Sequence, residues 1–504
     1  MADTNRRDFL RTASLGALAV GAAAAAPELL LSASALASTP APASPSTVVP
    51  VFSDADGIQV VSTQRFDDRD YNVVVRSAAL GRAVNVRVLL PSGYAPTSGV
   101  RYPVLYLFVG TSGLASDWIT MGHAAETTAA RPLILVMPDI GFDGNGGGWF
   151  TDWVDTRTAL GPSQWETFHV NQLIPWVDHN LPTIAARQGR GVAGLSQGGF
   201  GSATYAARHP DMFVTAATFS GAPDIDYNPA VAAAATEVIE YTASFLDGVQ
   251  AEAMFGSRAT NEINWQGHDP AQLATNLRGV DLWLYTATGA PGPLDPPVPN
   301  PAGTGIETLT HASTMSYYQR LNQLGISSHL DDYVFGTHSF PYWARDLQQY
   351  IGPLMQIFAN PPAPPQAISY TSIDTSWSQW DWSVSLQRAA VQEFSFLSAA
   401  RPEGFTLTGT GTASVTTPTF YRPKSAHTVT MSGASGHRTS EATADTSGRL
   451  QLNIPLGALS PPAVIGAPAT PVPENSTTVA IGSADQRAAS VHAQVDANVG
   501  TSGN

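Results

Sequence analysis

Gly194-Leu195-Ser196-Gln197-Gly198 spells a G-x-S-x-G pentapeptide. A serine hydroxyl that attacks an acyl carbon must stand exposed at a sharp strand-to-helix turn, where flanking Cβ atoms would collide, so glycines on both sides suit that chemistry. The setting agrees: Val192-Ala193 reads as the end of an apolar strand, and Gly198 to Ala203 as a helix start built from small residues. Serine alone is a weak nucleophile; it needs a base, and the base an acid to orient it, in the chain order Ser, acid, His for this kind of turn. Among His169, His179, His209, His268, His311, His329 and His338, the last is the candidate base. Gly336-Thr337-His338-Ser339 forms a turn directly after the alternating segment from His329 to Phe335. His209, before Pro210, reads as a helix C-terminal residue, and His169 and His179 as the solvent side of one helix.

Two carboxylates compete for the acid. Glu307 lies 31 residues before His338, just ahead of a helical pattern; Asp295 lies in the Pro-rich loop after the Leu282–Tyr285 strand. Pattern alone leaves both open, since Glu307 equally suits a helix N-terminus, where the macrodipole favours negative charge. The developing oxyanion needs two backbone N–H groups. Gln197, next to the nucleophile, supplies one; the loop after the Val104–Phe108 strand supplies the other, from Thr111 or alternatively Ser112.

These residues need a frame. Tyr71–Val75 and Val84–Val88 alternate as antiparallel strands do, whereas Val104–Phe108, Leu133–Met137, Val192–Gly194 and Leu282–Tyr285 are continuous apolar runs, expected of parallel strands buried on both faces. Helical patterns lie near Gln164–Asn180, Gly198–Arg208 and Thr308–Gln323. Strands alternating with helices predict an α/β sheet covered on both sides over residues 48–358. A Pro-rich linker follows at 359–366, then alternating segments with Gly/Ser/Pro turns at 367–482, read as a small β-sandwich, and a tail at 483–504. Trp377, Trp380 and Trp382 suit the core of that sandwich or, with Trp380 and Trp382 on one face of a strand, a carbohydrate-stacking surface.

At the other end, Arg6-Arg7-Asp8-Phe9-Leu10, the weakly apolar Ala13–Ala26 and the small residues Ser34–Ala37 predict a Tat-type export signal over 1–37, with a disordered stretch at 38–47. The apolar run falls short of the ~20 residues that span a bilayer. The chain of 504 residues has a net charge of −15, which argues against a nucleic-acid partner, and no cysteine, which excludes thiolate chemistry. No His pair at metal-ligand spacing occurs, and no cofactor is expected.

Several separated stretches together resemble the esterase D group and, within it, the antigen 85 mycolyltransferase family, over about residues 70–358. Besides the pentapeptide they are Trp149-Phe150-Thr151-Asp152-Trp153, Trp165-Glu166-Thr167-Phe168, His268-Asp269-Pro270 and His338-Ser339-Phe340-Pro341-Tyr342-Trp343. The resemblance implies an α/β-hydrolase and, at Glu307, the catalytic acid. It also implies an acyl-serine intermediate whose long acyl chain passes to a sugar or glycerol hydroxyl. Three departures bear on the acceptor: Val109-Gly110-Thr111-Ser112 replaces an Asp-Gly-Leu-Arg stretch, Phe340 replaces a Trp, and Gln197-Gly198-Gly199 looks like the general esterase D elbow. Trp149, Trp153, Phe255 and Trp265 could line an acyl groove or equally fill a plain core, and Trp149, Trp153 and Phe340 are the candidate substrate-binding residues. The expectation is an exported, extracellular or wall-associated serine acyltransferase that takes an acyl-ester donor and a sugar, glycerol or water acceptor. A secreted carboxylesterase is the alternative, and an idle protein bound to cell-wall glycan the reading from another class.

Overall fold

The computed structural model describes residues 49–97, 99–388, 392–433, 436–457 and 475–483. The expected export signal, the 38–47 stretch and the tail beyond Ser483 lie outside the described residues.

Nine strands form the first sheet, in the order β1-β2-β3-β5-β4-β6-β7-β8-β9. The three that open it, β1 (Ile58–Arg65), β2 (Asp70–Ser77) and β3 (Ala83–Leu89), pair antiparallel. Valines 73 and 75 of β2 and 84, 86 and 88 of β3 point into the core, as the alternation requires. Then β4 (Val104–Phe108), β5 (Ile134–Pro138), β6 (Arg190–Leu195), β7 (Thr215–Phe219), β8 (Asp281–Thr286) and β9 (His329–Asp332) run parallel to one another. Every residue of β4, β5 and β7 is buried. This is the α/β-hydrolase class of sheet, and its strand order sets the site. From β4 the chain moves left to β5; from β6 it moves right to β7. The loops after β4 and β6 therefore diverge, opening a crevice at the carboxyl ends of two adjacent strands, where ligands of open α/β sheets bind.

Three elements differ from the sequence reading. The helix expected at Gln164–Asn180 is a π-helical stretch, Thr167–Leu173, running into an α-helix, Ile174–Asn180. Pro175 explains the change, because it lacks the N–H that an α-helical bond to the previous turn would need. The helix expected from Thr308 begins at Pro301 and ends at Gln323, with Asn300 Oδ1 accepting from Gly303 N at 3.0 Å. Asn-Pro, which looks like a loop, is here a cap followed by proline in the first turn. Finally β7, Thr-Ala-Ala-Thr-Phe, has too little apolar bulk to stand out as a buried strand, yet it is one.

Beyond the Pro-rich segment the strands β10 (Ile368–Ser372), β11 (Ser376–Gln379), β12 (Trp382–Gln387), β13 (Ser395–Arg401), β14 (Gly404–Thr408), β15 (Gly411–Thr416), β16 (Ala426–Gly433), β17 (Gly436–Thr443), β18 (Gln451–Gly457) and β19 (Ser476–Ser483) make two antiparallel sheets. Their orders are β10-β13-β14-β19-β16-β17 and β11-β12-β15-β18. Between them lies a second core containing Trp382, Val384, Leu407, Val415, Val429 and Ile454. The proposed tryptophan face does not form. Trp380 and Asp381, both at positive φ, make the tight turn between β11 and β12. Trp382 is wholly buried and Trp377 nearly so, while Trp380 lies under the Arg187 guanidinium, 5.0 Å from its ring centre.

The sandwich is joined to the hydrolase by buried polar bonds at the C-terminal end of the helix Gln197–Arg208. Buried Arg208 pairs with Glu166 at 2.7 Å and with Asp374 at 3.2 Å, and its carbonyl accepts from Tyr370 Oη at 2.7 Å. Asn276 exchanges two bonds with the backbone of Thr371, and Asp211 accepts from Trp380 N. Burial opposes the Glu166 charge, but Arg208, His209 and His268 around it hold its carboxyl well below the usual range.

Candidate active site

Ser196 follows β6 directly, with φ 54° and ψ −122°, and Gln197 begins the twelve-residue helix. A non-glycine residue in this region costs about 1–3 kcal/mol and persists only where its surroundings over-determine it. Here they do. A Cβ on Gly194 would overlap the carbonyl of Gly198, and one on Gly198 would overlap the carbonyl of Val109. Ser196 N is tied to Phe219 O at 3.0 Å. From the other side Gly110 comes so close that an added Cβ would stand 2.8 Å from Ser196 Cβ.

His338 is buried, and its Nδ1 meets Glu307 Oε2 at 2.7 Å. Glu307, fully buried, also accepts from Ser220 Oγ at 2.8 Å and from Ala287 N at 3.0 Å through Oε1. Those bonds fix the carboxylate, which fixes the imidazole. The other ring nitrogen, Nε2, has no hydrogen-bond partner among the described residues. Asp295 is engaged elsewhere: it binds Thr337 Oγ1, Gly292 N and Tyr342 Oη. It steadies the loop that carries His338 without touching the ring. Trp343 stands edge-on to His338, 4.8 Å between ring centres.

Thr111 and Gln197 come together, Gln197 Nε2 donating to Thr111 Oγ1 at 3.1 Å. The N–H of Ser112 is committed to Gly146 O at 2.8 Å, which removes Ser112 as an oxyanion donor. Thr111 N has no acceptor among the described residues, and Gln197 N belongs to the first turn of a helix, whose N–H groups lack intrahelical partners. Pattern reading missed what braces this pair, although the run Gly146-Gly147-Gly148 was a visible signal. At Gly147 a Cβ would overlap the Gln197 carboxamide, and at Gly146 it would overlap the Asp247 carboxylate. Asp247 accepts from Gly147 N at 3.3 Å, and burial pushes its carboxyl up to about 7. Ser220, the first residue after β7, was also missed; nothing in its neighbours marks it.

Ser196 and His338 open on a cavity of about 970 Å³, near the upper end of the 300–1,000 Å³ usual for small-molecule sites. Its walls are mostly apolar, with Leu114, Val231, Val238 and Leu309 among them, and Trp149 and Phe340 line it too. Trp153 does not: it is buried behind the wall, its Nε1 donating to Gly148 O at 3.1 Å. Phe255 and Trp265 pack against each other in the core, ring centres 4.7 Å apart and planes tilted by 32°, and neither lines the cavity. His169 corrects a second reading. It is buried rather than solvent-facing, held by Tyr205 Oη and Asp139 O, and burial pushes it down to about 4. His179 is exposed and His209 ends the nucleophile helix. Among the described residues no group of three or more His, Asp or Glu is arranged to hold a metal ion, and no helix is long and apolar enough to cross a membrane.

Comparison with known proteins finds the Esterase family over residues 77–353. The esterase Rv1288 of Mycobacterium tuberculosis (strain H37Rv) is 32% identical over 57% of this chain and 59% of its own length. The match thus spans well under two thirds of that relative. The MPT51/MPB51 antigen of the same strain is 28% identical over 56% of this chain and 86% of its own. Diacylglycerol acyltransferase/mycolyltransferase Ag85B of Mycobacterium leprae is 27% identical over 54% of this chain and 79% of its own.

Proposed function

This chain belongs to the Esterase family, and from that premise we propose that it is an exported serine acyltransferase or esterase acting on long-chain acyl esters in the cell envelope. Ser196 Oγ attacks the ester carbonyl as His338 Nε2 takes its proton. Glu307 holds the ring and balances the imidazolium, and the N–H groups of Thr111 and Gln197 receive the charge on the carbonyl oxygen. His338 returns the proton to the departing alcohol, leaving an acyl-serine. An acceptor hydroxyl then gives its proton to His338 and takes the acyl group, and as the acyl–serine bond breaks His338 returns that proton to Ser196 Oγ. The observation that carries the reading is the Glu307–His338 bond at 2.7 Å, with Nε2 unpartnered among the described residues and His338 lining the same cavity as a strained serine. The apolar cavity supports a long acyl chain, and the Arg6-Arg7 segment supports export.

A sugar or glycerol hydroxyl is the proposed acceptor, in line with the mycolyltransferase resemblance. Hydrolysis by water is the second reading, favoured by one observation. The loop Val109-Gly110-Thr111-Ser112 carries neither Asp nor Arg to hold a sugar. The test uses p-nitrophenyl acyl esters with and without trehalose or glycerol, and products separated by mass. The proposal expects a sugar or glycerol ester, abolished by at least about 10³-fold in Ser196→Ala. Free fatty acid alone would leave the esterase. A fluorophosphonate probe that failed to label Ser196 would leave an inert wall-binding protein.

A further inference from the structure

Parallel strands send all their carboxyl-end loops to one edge, so the segments after β7, β8 and β9 share the edge that bears Ser196. Those segments carry an apolar fringe open to solvent. Val238, Tyr241 and Phe245 come from the helical segment after β7, Val298 and Leu309 from that after β8, and Phe335 from the loop after β9. Val298 is 74% exposed and Phe335 56%, values that no core-facing role explains. Tyr241 and Phe245, one turn apart, stack at 4.9 Å with their planes 20° apart. Val238, Tyr241 and Leu309 also line the catalytic cavity. Through these three residues the fringe reaches from the outer surface to the wall of the site. Among the described residues these six stay exposed with the sandwich in place, whose joint, at Arg208, Asp211 and Asn276 among others, lies toward the opposite edge of the sheet.

Resting on the acyl-ester reading above, we infer that this fringe is a docking surface for an uncharged lipid aggregate, from which the ester substrate slides into the cavity without crossing water. Exposed apolar patches that border a site mark such contacts. Charge selects the kind of lipid. The chain carries −15, and the stretches that bear the fringe, residues 229–257, 287–319 and 333–344, hold Glu237 and Glu240 but no Lys or Arg, so an anionic surface would repel this face whereas a neutral or zwitterionic one would not.

The experiment floats the full-length exported protein with phosphatidylcholine vesicles and with vesicles containing phosphatidylglycerol. It also compares turnover of monomeric p-nitrophenyl butyrate with turnover of an aggregated long-chain ester. Phe245→Ser/Val298→Ser removes fringe residues that do not line the cavity, and Phe335→Ser samples a separate segment. Expected are flotation with phosphatidylcholine that weakens with phosphatidylglycerol, a long-chain rate that falls at least fivefold in the double variant, and butyrate turnover within twofold of wild type. The inference is overturned if wild type does not float or prefers anionic vesicles, or if both variants behave as wild type. It is equally overturned if light scattering shows a dimer that the variants dissolve, since the fringe then joins two copies. A protein that floats but cleaves no ester keeps the docking surface and ends the enzymatic reading; one that cleaves butyrate but neither floats nor favours aggregates does the reverse.

Discussion

A carboxylate with no exposed surface is tolerated only where donors surround it, and Glu307 has four, from Ser220, Ala287, Thr310 and His338. Glu307→Gln keeps the shape but removes the charge that balances an imidazolium. It should lower kcat by about 10²–10⁴-fold with KM little changed. Asp295→Asn should cost less than about tenfold, because Asp295 braces the loop through Thr337 and Tyr342 rather than the ring; steady-state kinetics on one ester separates the two. His169 gives a pH prediction. Unfolded, it takes up a proton near 6.5; folded, only near 4. The unfolded state therefore binds more protons between those values, so stability that is full above 6.5 drains as pH falls toward 4, by at most about 3 kcal/mol. Urea unfolding at pH 4.5 and 7 should show that loss shrink in His169→Gln. Ser196 and His338 are legible as candidates because each sits in a local pattern, glycines at a turn or a loop after a strand. Pattern alone leaves Glu307 and Asp295 open, with only the family resemblance implying Glu307, and it misplaces His169, since those outcomes rest on partners from distant elements: Ser220 and Ala287 for one, Tyr205 and Asp139 for the other.

Among the elements, the glycine turn at 146–148 carries more than its length suggests. It is held between Gln197 on one side and Asp247, at the end of the segment bearing Tyr241 and Phe245, on the other. In the native state the Asp247 carboxyl keeps its proton up to about 7; unfolded, it releases it near 3.9. The folded state binds the extra proton in that window, so this group lowers stability as pH rises from about 4 to 7, by at most about 4 kcal/mol. Asp247→Asn should match wild type at pH 4 and exceed it at pH 8, as read by urea unfolding at both. Elements with one strong pattern were legible, the continuous apolar β4 and β5 above all. Those that depend on a single residue's backbone chemistry were not: Pro175 turned an expected α-helix into a π-helical entry, and Asn300-Pro301 began a helix where a loop was expected.

At the scale of the molecule, the two cores are separate but the joint between them is not a loose linker. Arg208 is buried between Glu166 and Asp374. Removing one member of such a group typically costs about 3–5 kcal/mol, because a buried charge is left unbalanced. Calorimetry of the wild type should give one transition, and Arg208→Met should lose roughly that amount and split the sandwich melting from that of the hydrolase. Alternation announced the sandwich; the joint was invisible, since its members lie 42 and 166 residues from Arg208 along the chain. That joint also settles reach. A partner domain on a flexible linker would present its cargo to the serine at an effective concentration set by linker length. Here the sandwich is locked to the far end of a helix about 18 Å long, whose near end is the nucleophile turn. A ligand bound by the sandwich would thus be held at a fixed remove from Ser196 instead of sampling it through linker motion.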